Sequence, residues 1–258
     1  MTRTGFEKFR LSHRDRALFL IENEQNYEAQ LLAIKGALSR NKEAENEFSK
    51  GIQHMREQLN LLDPEDNTNA DHFIDHLTDM FHESVYFDAA HSMAAVGMLA
   101  PYFESLFVSL FGAIRRETQK VEGRKGRSKA FQDFYWNPQI VMGSNEPRTN
   151  LVEGITDLAA ETGLLPHLPE GYETTLKALF SYRNNMFHNG FEWPVETRKK
   201  FQKRIDNKHW PKEWFEKSTK DDEPWIFYMS EEFIQHCLSM IDHVLVGAGE
   251  FFEDLSSS

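Results

Sequence analysis

Apolar residues recur every three or four positions along most of this chain. Between residues 14 and 62, Leu20, Tyr27, Leu31, Ile34 and Leu38, then Phe48, Ile52, Met55, Leu59 and Leu62, fall on one narrow helical face. The phase continues through the polar Asn41 and Glu45. One very long helix and a helical hairpin turning near Ser39–Asn41 both fit, and ordinary helix lengths favour the hairpin. DPEDNTN, residues 63–69, reads as a turn or linker.

A second helix is predicted from about Asn69 to Leu99, with Phe73, Leu77, Met80 or Phe81, and Val85 on its apolar side. Pro101 suits the first turn of a further helix, where its missing N–H costs little. Phe103, Leu106, Phe107, Leu110, Phe111 and Ile114 then form a wide core-facing stripe. Residues 122–147 read as a loop. Thr149 or Asn150 is positioned to cap a short helix over 150–162, ended by Gly163. LPHLPEG, residues 165–171, connects to the helix YETTLKALFSYRNNMFH, whose expected buried residues are Tyr172, Leu176, Leu179, Phe180 and Phe187. Residues 191–229 read as irregular and Trp-rich, with a small β-hairpin over 214–228. Ser230, followed by Glu231 and Glu232, starts the last helix, which buries Ile234, Leu238, Ile241, Leu245 and Phe252. The expected fold is all-α. Residues 1–68 form a long N-terminal helical extension or hairpin, and 69–258 a helical core carrying the Trp-rich insert at about 191–229.

Composition narrows the class. The chain has 258 residues, 40% of them hydrophobic, with 21 Phe, which is enough for a substantial core. Its net charge of −12 opposes non-specific nucleic-acid binding. Two local patches run against that balance. One holds Arg115, Arg116, Lys120, Arg124, Lys125, Arg127 and Lys129. The other is RKKFQKR, residues 198–204, in which Arg198, Lys199 and Lys200 are candidate phosphate contacts. The plainer account of either patch is a solvated surface. Cys237 is the single cysteine, so no intramolecular disulfide forms. MTRTGFEKFRLSHRDR has no apolar signal core, and the run near residues 93–103 is short for a bilayer. A cytoplasmic protein with no membrane role is therefore expected.

The segment RNNMFHNG, residues 183–190, brings Arg183, Asn184 and His188 to the end of a helix stopped by Gly190. RNA carries its own nucleophile, the 2′-OH. Cleavage then needs proton transfer, which a His supplies near neutral pH, and stabilisation of the pentacoordinate phosphate, which an Arg supplies. No metal or other cofactor enters this scheme. Asn184 and His188 share a helix face, whereas Arg183 and His188 lie about 140° apart on an ideal helix. A loosened helix end, the length of the Arg side chain, or a second copy of the helix relieves that separation.

Arg183, the polar Asn184 and His188, near the end of a helix in an all-α chain, resemble the Arg-x(4–6)-His motif of HEPN (higher eukaryotes and prokaryotes nucleotide-binding) domains. The resemblance implies a HEPN-like helical bundle. It also implies a metal-independent endoribonuclease of toxin or phage-defence type, leaving a 2′,3′-cyclic phosphate and a 5′-hydroxyl. Its substrate would be RNA, its site would form across a homodimer, and an antitoxin or other protein partner would be possible. An acidic or hydroxyl residue on an earlier core helix accompanies the motif in several members, and Glu104 or Ser105 is the candidate here.

Other constellations compete. His72 and His76, with Asp79 and Glu83, have metal-ligand spacing, but a polar helix face accounts for them equally. Trp193, Trp210, Trp214 and Trp225 near the basic run can stack bases or form a small aromatic core, and the core is favoured. Cys237 reads as packing. The alternative to an enzyme is a non-catalytic helical module that binds a ligand or partner, for which the stripe over 14–62 would serve as a docking face.

Overall fold

A computed structural model describes residues 11–21, 25–61, 67–118, 135–142 and 147–257. The described residues are mostly helical. The helices are α1 (His13–Ile21), α2 (Tyr27–Leu61), α3 (Asn67–Thr118), α4 (Leu151–Thr162), α5 (Tyr172–Asn189), α6 (Val195–Asp206) and α7 (Glu231–Ser257). Among the described residues there are also two antiparallel strand pairs: β1 (Ile140–Met142) with β2 (Pro147–Thr149), and β3 (Phe215–Lys220) with β4 (Glu223–Met229). The all-α expectation holds at this level.

Helix lengths differ from the expected ones. α2 runs straight through Ser39–Asn41, so the expected hairpin does not form there. The segment around it, ALSRNKEAENEF, consists largely of good helix formers and contains neither Gly nor Pro, so nothing forces a turn. Likewise α3 does not restart at Pro101 but continues through it. An interior Pro removes one backbone hydrogen bond and crowds the carbonyl four residues back, a cost of about 3 kcal/mol. That carbonyl belongs to Gly97. Flanking residues Leu99, Ala100, Tyr102 and Phe103 are all buried, which offsets the loss. By length and composition α3 contains a stretch apolar enough to cross a membrane, and 56% of that stretch is buried within the fold, as in a core helix.

The chain packs as two compact units. The first comprises residues up to Gln30, Pro101–Lys177 and Cys237–Ser258. Its core is the predicted stripe from Phe103 to Ile114, every member of which is buried. Tyr27 is fully buried here, and its hydroxyl donates to the Ser105 carbonyl at 2.9 Å and meets the Ser105 and Ser109 hydroxyls. Arg14 bridges Asp242 at 2.9 Å and Glu28 at 2.5 Å. Asn150 caps α4 by accepting from the Glu153 N–H, and Gly163 ends that helix at φ +83°, as the sequence pattern predicts.

The second unit comprises Leu31–Ala100 and Ala178–His236. The Trp-rich segment supplies its core. Trp193 stacks on Phe227 at 5.5 Å, and Phe201 meets Phe215 edge-on at 4.9 Å. Tyr182 of α5 is fully buried among them and donates to the Phe227 carbonyl at 2.9 Å. The expected β-hairpin is present, and its turn residues Asp221 and Asp222 take positive φ values of 52° and 61°. Ser230 caps α7 through the Phe233 N–H at 3.1 Å. Two elements escaped the pattern: in the first unit the β1–β2 pair begins inside the segment read as a loop, and in the second α6 lies in the segment read as irregular. Only Phe201 and Ile205 of its twelve residues are buried, so its apolar signal is two positions four apart.

Candidate functional site

α5 delivers the motif, and its buried stripe decides which motif residues stay outside. Leu176, Leu179, Tyr182 and Met186 are buried at steps of three and four. Phe187, expected inside, is 53% exposed, because it lies one position beyond that stripe. Met186 fills the place assigned to it. Arg183 is half-buried, and Asn184 and His188 are exposed. The helix ends as predicted: Gly190 sits at φ +71° and its N–H donates to the Met186 carbonyl at 2.9 Å.

Arg183 is held locally. Its Nη1 donates to Asn184 Oδ1 at 3.1 Å, and its guanidinium carbon stands 5.7 Å from the centre of the Phe187 ring. No carboxylate pairs with it among the described residues. His188 makes no hydrogen bond or ion pair there either. Two such side chains left without an acid are notable in a chain of net charge −12.

Beside the motif, α5 and α6 enclose a groove of about 450 Å³. Ser181, Asn184 and Asn185 line it from α5, and Thr197, Lys200 and Arg204 from α6, over a floor formed by Phe201. None of these residues is acidic. Arg204 Nη1 donates to the Ser181 hydroxyl at 2.6 Å and its guanidinium lies 5.7 Å from the centre of the Trp210 ring. Arg183 and His188 are not among the lining residues, so within one copy of the chain the groove holds only Asn184 of the motif.

The other candidate residues separate. Of the three candidate phosphate contacts in the basic run, Lys200 alone reaches the groove, where Arg204 of the same run joins it. Arg198 donates to the Pro224 carbonyl at 2.6 Å, tying α6 to the hairpin, and Lys199 pairs with Glu223 at 3.2 Å. Both are therefore engaged structurally. Glu104 accepts from the Gln139 amide, and Ser105 donates to Gln25 at 2.9 Å besides meeting Tyr27. These are contacts of the first unit. His72, His76, Asp79 and Glu83 are all exposed on α3, and no group of three or more potential metal ligands exists among the described residues. In the earlier basic patch Arg116 donates to the Leu20 carbonyl at 2.9 Å. The patch from Lys120 onward lies outside the described residues. Cys237 is fully buried, and burial pushes its thiol well above the ordinary range, which fits packing rather than nucleophilic chemistry.

Sequence pattern missed two features. Ser181 belongs to the groove and stands out by no motif, and Arg204 lies in the basic run without being singled out there; only the pairing of α5 with α6 brings them together. Within α3, Asp88 and His91 share a face in a polar cluster with Lys42, Glu45 and Glu231. Burial raises the Asp88 carboxyl to about 6, reinforced by Glu45 and opposed by Lys42. Burial also lowers the His91 imidazole below its ordinary value, and neither ring nitrogen has a hydrogen-bond partner.

No family model, curated protein or solved structure matches this chain.

Proposed function

We propose that this chain is a metal-independent endoribonuclease of the HEPN type, acting as a homodimer. One observation carries the reading: Arg183, Asn184 and His188 lie on the solvent-facing last turns of α5, and among the described residues neither Arg183 nor His188 has an acidic partner. A cation and an imidazole left unpaired in so acidic a protein are available to an anion.

In the proposed reaction the RNA 2′-oxygen attacks the adjacent phosphorus. The P–O5′ bond breaks, and a 2′,3′-cyclic phosphate and a 5′-hydroxyl result. The 2′-OH proton leaves to a neutral imidazole, and the 5′-oxygen takes a proton from an imidazolium. His188 supplies one of these roles, and His188 of a second copy supplies the other. Arg183, steered by Asn184, holds the non-bridging oxygens as charge builds on them. The exposed Phe187 beside the motif offers apolar area for the contact between copies. A toxin or phage-defence role rests on the family resemblance and belongs to the same proposal.

The test is incubation of purified protein with mixed RNA, with and without EDTA. Chelator-insensitive cleavage to 2′,3′-cyclic ends, lost in Arg183→Ala and His188→Ala, supports the reading. RNA left intact by the dimer under all conditions rejects it.

A further inference from the structure

We infer that the α5–α6 groove is a subsite for the phosphate backbone of single-stranded RNA, holding the strand on the approach to His188. The inference deepens the ribonuclease reading and rests on it. On α5, Ser181, Asn184 or Asn185, and His188 follow at three, four and seven residues, so they form one row along the helix. On α6, Thr197, Lys200 and Arg204 form a second row with the same spacing. Ser181, Asn184 and Asn185 of the first row line, with the second row, a groove of about 450 Å³, a volume within the ordinary range of ligand clefts, and His188 lies beyond its lining.

The chemistry of the lining selects the ligand. Two cations, two carboxamides and two hydroxyls line the groove, with no carboxylate. Arg198 and Lys199, also on α6, are already engaged, by hairpin carbonyls and by Glu223 respectively, and Lys203 does not line the groove. Lys200 has no such partner among the described residues, and Arg204 uses one donor on Ser181 and keeps the rest of its fork. Asn184 stands in both places, lining the groove and orienting Arg183. A strand held in the groove thus lies against a residue that also contacts Arg183. Phe201 gives an apolar floor against which a ribose or base edge can lie.

The experiment measures binding of a short fluorescein-labelled single-stranded RNA by anisotropy, using full-length protein carrying His188→Ala so that cleavage does not interfere. Lys200→Ala and Arg204→Ala are each expected to weaken binding about tenfold, the usual effect of a charged hydrogen bond. Each should also flatten the dependence of log K on log salt by roughly 0.7. Lys199→Ala, whose cation is paired, should change affinity less than about twofold. Because Arg204 also contacts Trp210 and Ser181, its variant is checked by thermal melting. Lys200→Glu, at an exposed position, decides the matter if Arg204→Ala is unstable. Unchanged affinity in the Lys200 variants overturns the subsite even if the wild type cleaves RNA. Groove-dependent binding by a wild type that leaves RNA intact supports the subsite and removes the nuclease.

Discussion

The Arg183 guanidinium lies over the Phe187 ring, 5.7 Å from its centre, while its Nη1 donates to Asn184. A residue expected in the core is thus a surface platform for the residue expected to bind phosphate. A cation–π contact at an exposed site contributes about 0.5–1 kcal/mol, enough to favour one orientation of a long side chain.

Phe187→Ala is therefore expected to cost no more than about 1 kcal/mol of stability, because the ring is already half in water. Its effect on RNA cleavage should be larger, about tenfold, since Arg183 loses its support. Paired urea titration and cleavage assays check this. Equal losses in both would mean that the ring is only structural.

His188→Ala should lower single-turnover RNA cleavage at least about a hundredfold, the lower range for a general acid or base. Its melting temperature should stay within a few degrees, because the side chain is exposed and has no partner among the described residues. Arg183→Lys should fall between wild type and Arg183→Ala, keeping charge but losing the planar fork.

Asp88 makes stability depend on pH in an identifiable direction. Its folded value, about 6, lies above the ordinary 3.8. Between those values the unfolded chain releases its proton first, so this group lowers stability as pH rises from about 4 to about 6. His91 acts oppositely. Its folded value is lowered, so stability falls as pH drops below the ordinary His range, where the unfolded chain takes up a proton first. Asp88→Asn should raise stability at pH 7 by about 1 kcal/mol, allowing for solvent screening of a half-buried group. It should also flatten the curve between pH 4 and 6. Denaturant titrations across that range read both effects, and a variant less stable at pH 7 would count against the burial argument.

Gly249 marks a close approach within the first unit. A Cβ built there would stand 1.8 Å from the His13 carbonyl oxygen, so α1 and α7 could not keep their contact. Gly249→Ala should cost about 2 kcal/mol or more, despite the better helix propensity of Ala. A midpoint in urea equal to or above wild type would mean that α1 yields without penalty.

The sequence alone determined the parts of this protein that local chemistry controls. The stripe from Phe103 to Ile114, the Asn150 cap with its Gly163 stop, the hairpin over 214–228 and the Ser230 start of α7 follow from spacing and turn residues. Each involves neighbours within a turn or two, so local pattern suffices. The end of α5 at Gly190 was legible in the same way. Tertiary packing decided most of the rest. α3 is continuous because packing outweighed a proline at 101, whereas α2 runs through Ser39–Asn41 because nothing local breaks it. The few apolar residues of α6 acquire meaning only when Phe201 meets Phe215, Trp193 and Trp210. Burial of Met186 turned Phe187 outward, and the pairing of two helices placed Arg204 beside Ser181. A helix fixes angles between its own residues, but which face is wet depends on what packs against it.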